Sequence, residues 1–541
     1  MQFKNSFSYI SNFIPFSINQ IRRIYYNSSL YDKKISKVKN NSLTYKPTLN
    51  VLSCLIKYDK AKNKIEDLDL DSVWEKKNIN KNNFAQLHNF YWLFTIDLKS
   101  SNKITQKVIK NWIEKYKSYN HKNWQVDILS KRIISWISNS KITYDSSENI
   151  YKELFDRNIK KQINHLINEI NKSKTVDDKM LGCTAIIMTG LSYNDERYLD
   201  YGMNLLKSII NSSFDNDYFP KSRSIRQLVF YLKYFVLIRE LLKDSMNEIP
   251  EYLNEIIFYL GKSYSLLLRN NQDLLFNGNH NSNLKEFNKY LSMQKYKFKN
   301  DGFETGGYAL LENKNSILCI DIGSSPSKKL SENFQAGTLS FEFFYKGDKI
   351  ICNSGYFQDF KNRLNLISKS TAAHSTLILD NKSSCKFKSM NKQKSYLVSN
   401  IKTFDKKINF EKNLWRVSCS HNGYAKEYGV LHNRALEFET NKLKINGVDT
   451  LIKKNNFRST NFEIRFHLLP GAKLTKTQDG KTVLIELKNS GWKFFTNDGI
   501  INIESGLYFG NKNKFEVNQN ICISGVSQNE DQKINWELIK I

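Results

Sequence analysis

The stretch AGTLSFEFFYKGDKIICNSG, residues 336–355, carries two runs of aromatic, β-branched and aliphatic residues split by Lys-Gly-Asp. A glycine beside an aspartate supplies the positive φ that a tight turn requires, so the stretch reads as two antiparallel strands joined by a hairpin. After about residue 295 such runs recur: NSILCIDIG, STLILD, LWRVSCSHNGY, LHNRALEFETNKLKINGVDTL and EIRFHLLPGAKLTKTQDGKTVLIELKNSGWKFFT, each bounded by Gly, Asn, Asp or Lys turns. Many short strands with no helical stretch between them predict an antiparallel β-sandwich. Upstream the period changes. From about residue 50 to 290 apolar residues recur at three and four, as in NNFAQLHNFYWLFTIDL (82–98) and ILSKRIISWISNS (128–140), which is helical spacing. Successive helices of this length suggest an all-α array or toroid. The fold class expected is therefore α+β and multidomain. An N-terminal segment (1–49) precedes an α/α toroid-like domain (50–290) and an antiparallel β-sandwich (291–541), with the polar, turn-rich stretch 276–301 as linker.

Size agrees with two domains, because 541 residues exceed what one core usually serves. Lys plus Arg number 82 against 53 Asp plus Glu, a net charge of +29. Such a field attracts nucleic acid, anionic membranes or acidic polysaccharides. The lysines are spread along the chain, however, in the Lys-, Asn- and Ile-rich usage of an AT-rich genome, so the charge alone selects no partner. No zinc-finger spacing, basic zipper or aromatic RNA-binding signature is present, and a nucleic-acid partner is not expected. The seven cysteines form no CxxC pair and read as small buried hydrophobes. The N-terminus shows no recognisable signal peptide, and no apolar run approaches ~20 residues, so no transmembrane segment is expected.

Specific strings sharpen the picture. GYALLENKNSILCIDIGSSP (307–326), the opening stretch, STAAHSTLIL (370–379), GYAKEYGVLHNRALEF (423–438), RFHLLPG (465–471) and INIESGLYFG (501–510) occur in an order that resembles the heparinase II/III family of polysaccharide lyases. KNWQVDILSKRIISWI (122–137) and FPKSRSIRQL (219–228) are more loosely similar to the helical domain of a divergent bacterial branch of that family. The resemblance implies an acidic polysaccharide or oligosaccharide partner, a site in the cleft between toroid and sandwich, and a setting in the cell envelope or periplasm. It also implies β-elimination beside a uronate. That reaction needs the carboxylate neutralised, a base for the neighbouring proton and an acid for the departing oxygen.

Residue by residue, the resemblance is incomplete. Where the family has a catalytic histidine, a zinc-binding histidine and an aspartate, this chain has Asn333, Gln335 and Gly337; a second zinc aspartate is replaced at about Asn353, before Gly355. His374 remains of the zinc set, and amides are poor zinc ligands, so no zinc or other cofactor is expected. His374 is instead expected to be held by neutral hydrogen bonds to amides such as Gln335 and Asn353, as a structural marker beside the cleft with a catalytic role open. The family's Tyr-His pair falls near Arg226 and Gln227, with Tyr218 nearby as a candidate phenol. The candidate catalytic residues are thus Tyr218, His374 and His432. The candidate substrate-binding residues are Arg223, Arg226, Gln227, Gln335 and Arg434, where Arg223 and Arg226 can grip a carboxylate or merely cap a helix. His421 and His432 fall on alternating strand positions and can face the cleft, His467 and His88 read as structural, and Asn279 and His280 are a candidate cleft wall. Two functions follow: a lyase acting on a uronic-acid polysaccharide, or a catalytically degenerate glycan-binding or envelope-assembly protein.

Overall fold

In a computed structural model the chain is described at residues 20–48, 52, 74, 81–96, 98–99, 102–173, 175–268, 273–279, 284–389, 395–511 and 514–541. It forms two compact units. The first gathers the described residues of Met1–Ser212, Lys233–Ile257 and Glu286–Lys295, and the second those of Ser213–Leu232, Phe258–Lys285 and Tyr296–Ile541. The described residues of 213–232 and 258–285, expected with the helices, thus fold with the strands.

The first unit is helical, with long helices at Asn102–Lys115, Val126–Ser138, Asn149–Glu169, Val176–Tyr193 and Glu196–Ser213. Its core is rich in aromatics: the Phe90, Trp112 and Trp136 rings meet edge to face. Arg132 is fully buried there. Its guanidinium lies over Trp112 and donates to Gln162 Oε1 and to the carbonyls of His88 and Asn123. His88 Nδ1 accepts from the Trp112 indole at 3.0 Å, and burial pushes its pKa down to about 3, so it is a neutral core residue. The expected linker is more than a linker, since Lys285–Met293 is a helix. Phe287, Tyr290 and Leu291, spaced three and four apart, are its buried stripe.

The second unit holds the sheets. A five-stranded antiparallel meander runs Glu304–Thr305, Tyr308–Glu312, Ser316–Asp321, Phe341–Tyr345 and Asp348–Ile351. An eight-stranded sheet and a four-stranded one complete a sandwich, and one apolar core unites all three. Phe341, Phe343, Phe438, Phe466, Trp492, Phe494 and Trp536 interdigitate at its centre. Strand Val430–Glu439 alternates buried and half-buried positions, as a sheet packed on one face requires, whereas Phe341–Tyr345 is buried along its whole length. The hairpin read from 336–355 is present. Its turn uses Lys346 (φ 48°) and Gly347 (φ 86°), so the lysine and not the aspartate shares the left-handed turn with the glycine.

Cys183, Cys319, Cys352, Cys385, Cys419 and Cys522 are all buried and unpaired with one another. Among the described residues, no helix is long and apolar enough to cross a membrane.

Candidate functional site

Within the second unit, a cavity of about 190 Å³ is lined by Arg226, Glu332, Asn333, Tyr356, Gln358, Phe360, Asn365, Lys369 and Ser395. Arg226 enters from the first turn of helix Ile225–Asp244. Tyr356 is delivered by Gly355, whose φ of +86° suits glycine; a Cβ there would lie 2.9 Å from the backbone of Phe509 and Gly510. Helix Arg363–Lys369 is capped by Asn362, whose side chain accepts from Leu364 N, and it presents Asn365 and Lys369, four apart, on one side. Lys369 is buried, and its ammonium donates to the carbonyls of Glu332 and Ser395 and to Ser395 Oγ.

Burial pushes the Tyr356 phenol up to about 12; a hydrogen bond with Asn365 and the Arg226 charge oppose this, and Glu332 adds to it. The phenol is therefore protonated at neutral pH, a proton donor and not a base. The cavity thus offers a guanidinium, amides, a carboxylate and a phenol. Among the described residues, no histidine lines it.

Of the residues expected at the site, Arg226 lines this cavity, beside Asn333, which stands where the family has its catalytic histidine. Gln227 does not line the cavity; it accepts from Ser222 Oγ beside the helix start. Tyr218, with φ +57°, lies outside it and stacks on Tyr259. Arg223 has no donor left for a substrate. All five of its N–H groups are committed: Nε to Gly306 O, Nη1 to Gly323 O and Ser324 O, and Nη2 to Gly307 O and Asp321 Oδ1. Gly323 is required by this clasp, since a Cβ there would fall 2.3 Å from the guanidinium carbon.

Gln335 is fully buried with its amide spent on Gly278 N, Gly355 O and Ser368 O. His374 is equally buried, but the amides expected to hold it do not. Its Nδ1 donates to Ser370 O at 2.8 Å, and Gly337 packs against the ring, where a Cβ would come within 2.4 Å. Burial pushes its pKa down to about 4, so the ring is neutral. Asn353 instead accepts from Ser375 N. This donor set does not fit zinc: one imidazole and two amides whose oxygens already accept backbone N–H groups supply no anionic ligand. Among the described residues, no group of three or more His, Cys, Asp or Glu side chains is placed to hold a metal.

His432 and Arg434 are in the interior of the sandwich, not on a cleft. Gly423 N donates to His421 Nδ1, so His421 Nε2 carries the proton and donates to His432 Nδ1 (3.2 Å); His432 Nε2 then donates to Asp449 Oδ1 (2.7 Å). Arg434 grips Asp449 bidentately at 2.8 and 3.0 Å and donates to Leu339 O and Ser375 O, while the Trp536 indole donates to Asp449 Oδ2. Burial alone would raise the Asp449 pKa, but Arg434 and His432 outweigh it and hold the carboxylate ionised. Burial keeps both imidazoles neutral. The expectation that His432 catalyses and Arg434 binds substrate is corrected accordingly: both side chains are fully buried, with Asp449 opposite Arg434 on the neighbouring strand and the carbonyls of Leu339 and Ser375 taking the guanidinium. His467 is structural as read, bonded to Ala372 O and Ser354 Oγ. Asn279 is buried on Leu274 O, and His280 lies outside the described residues. Tyr356, directly after Gly355, carries no signal in the sequence that sets it apart from the other tyrosines.

Residues 298–537, which hold the sandwich and most of this cavity, match the model of the heparinase II/III-like C-terminal domain. This part of the chain is a heparinase II/III-like C-terminal domain. Over 85% of its length it superposes on 76% of a heparan sulfate lyase HepC mutant from Pedobacter heparinus, with a TM-score of 0.64 and 16% identity. A heparinase III structure matches over 88% of this chain and 81% of its own, at TM-score 0.68 and 14% identity. The helical region followed by antiparallel sheets is therefore the heparinase fold. FtsZ-localized protein C of Caulobacter vibrioides is 24% identical over 246 residues, 43% of this chain and 42% of that protein; the match thus spans less than half of the relative.

Proposed function

We propose that this heparinase II/III-like protein binds an acidic, uronate-containing polysaccharide at the Arg226 cavity, as a glycan-binding relative of the lyases. One observation carries the reading: Arg226, Asn333 and Tyr356 converge on one pocket, and none of the described residues that line it is a histidine. A guanidinium and an amide suit a uronate carboxylate, and a protonated phenol suits a glycosidic or hydroxyl oxygen. No zinc is invoked. The resemblance of part of the chain to a protein named for its localisation with FtsZ supports a role in envelope assembly instead of glycan breakdown.

A second reading, metal-independent β-elimination, draws support from Tyr356. Arg226 would neutralise the uronate, the Glu332 carboxylate would take the proton beside it, and the Tyr356 O–H would protonate the leaving oxygen. The products would be an unsaturated uronate and a new chain end. The experiment is a calorimetric titration with hyaluronan, heparosan and alginate oligosaccharides, run beside an absorbance assay for unsaturated uronate. Binding that falls about ten- to a hundredfold in Arg226→Ala, without absorbance growth, is the result expected, matching a charge-assisted hydrogen bond of about 1.5–3 kcal/mol. Sustained absorbance growth abolished by Tyr356→Phe would establish the second reading. Absence of binding to every acidic oligosaccharide would refute both.

A further inference from the structure

A second, larger cavity of about 600 Å³ in the same unit shares no lining residue with the first. Its wall includes Tyr259, Lys262 and Ser263 of helix Glu251–Leu268, Asp215 and Asp217 of the loop before Arg223, and Asn300, Glu304, Thr305 and Lys406.

Three features give it a chemical character. First, Tyr259 is 38% exposed and stacks almost parallel on Tyr218, with centroids 4.9 Å apart and planes 11° apart. The stack fixes the ring as a flat apolar wall. Tyr218 is held in place by the tight loop 214–220, in which Phe214 bridges Pro220 and Asp215 Oδ1 accepts from Asp217 N and Phe219 N. A bulky side chain at φ +57° is a costly conformation, and this loop imposes it. Secondly, the wall carries hydroxyl and amide groups at Ser263, Thr305 and Asn300, with Ser263 Oγ and Thr305 Oγ1 2.7 Å apart. Thirdly, the charges of the wall cancel locally. Lys406 pairs with Glu304 at 2.8 Å, Arg223 is spent on Asp321 and carbonyls, and Asp215 is bound by backbone N–H groups; Lys262 and Asp217 are opposite in sign. On a chain of net charge +29 such a balanced pocket is built against selecting anions.

We infer that this cavity is a second glycan subsite, one that takes an uncharged pyranose unit, with its apolar face on Tyr259 and its hydroxyls toward Ser263, Thr305 and Asn300. Rigid aromatic area with a few hydroxyl and amide groups binds a ring that is apolar on its faces and polar at its rim, and the balanced charges of the described wall disfavour recruitment through a carboxylate or sulfate. Tyr218 acts through Tyr259 as a positioning residue, which gives a role to a tyrosine that lies outside the Arg226 cavity.

The test is a calorimetric titration of the full chain with cellotetraose, chitotetraose and a hyaluronan tetrasaccharide. The expected result is that a neutral tetrasaccharide binds, that Tyr259→Ala weakens this about tenfold, the equivalent of ~1.4 kcal/mol, and that Tyr259→Phe keeps it. Arg226→Ala is expected to leave neutral binding unchanged, which separates this subsite from the first cavity. Three outcomes would overturn the inference: no neutral tetrasaccharide bound at up to about 10 mM, neutral binding indifferent to Tyr259→Ala, or Tyr259-dependent binding confined to the hyaluronan tetrasaccharide. Tyr218→Ala, read by the same titration with circular dichroism as a fold control, is expected to match Tyr259→Ala. A loss of binding accompanied by unfolding would leave Tyr259→Ala, an exposed helix position, to decide.

Discussion

Replacing Arg434 with methionine tests the reassignment of the sandwich histidines. The substitution removes two charge-assisted bonds to Asp449 and the donors to Leu339 O and Ser375 O, while Asp449 keeps His432 and the Trp536 indole. The carboxylate stays at 0% exposure with its guanidinium partner gone. Breaking a buried pair from one side typically costs about 3–5 kcal/mol, whereas replacing both charges with apolar groups of similar volume is often close to neutral. Arg434→Met is therefore expected to destabilise the sandwich by about 3–5 kcal/mol, and the double variant Arg434→Met/Asp449→Leu to recover more than half of that. Hydrogen exchange on strands Val430–Glu439 and Lys444–Lys453 reads the sandwich separately from the helices, which matters because two units need not unfold together. Binding of acidic oligosaccharide per folded molecule should be unchanged. A loss of less than about 1 kcal/mol, a double variant no better than the single one, or a selective loss of glycan binding at intact stability would refute the reasoning; the last would return Arg434 to the substrate.

Other consequences are independent of that network. His88, His165, His374, His421, His432 and His467 are buried with pKa values pushed below 6.5 by desolvation, to about 3 for His88 and His467 and about 4 for His165 and His374. The unfolded chain therefore takes up protons that the folded one refuses, so thermal stability should be full above pH 6.5 and fall steadily between pH 6.5 and 4; a flat profile across that window would contradict the burial. Gly355→Ala forces a Cβ against Phe509 and Gly510 at a positive φ and should cost more than about 1–2 kcal/mol, with weaker acidic-glycan binding because Tyr356 is misplaced. Exhaustive chelation should leave the melting temperature unchanged, since Gln335, Asn353 and His374 supply no zinc site; zinc at one equivalent by elemental analysis, with a chelator-induced fall in melting temperature, would overturn that fit.

Much of the fold was legible because it rests on periodicity. The 3.6-residue pattern of 128–140 is a helix with Arg132 inside, and the alternation of 430–439 is a strand with one face buried. The family strings likewise fixed the sandwich. The site was legible only in part. Arg226 and Asn333 were named from sequence and do share a cavity, yet Arg223, three residues from Arg226, faces another way. Its left-handed backbone turns the guanidinium onto three glycine carbonyls that lie 83 to 100 residues further on. His432 and Arg434 looked the same in sequence as cleft residues would, because alternation gives which positions share a face and not which face meets solvent. That choice belongs to the layer that packs on one face of the sheet, and with it to the tertiary structure. Local pattern set the elements and the family; long-range contacts alone decided which polar side chains were sealed into hydrogen-bonded cores and which were left lining a pocket.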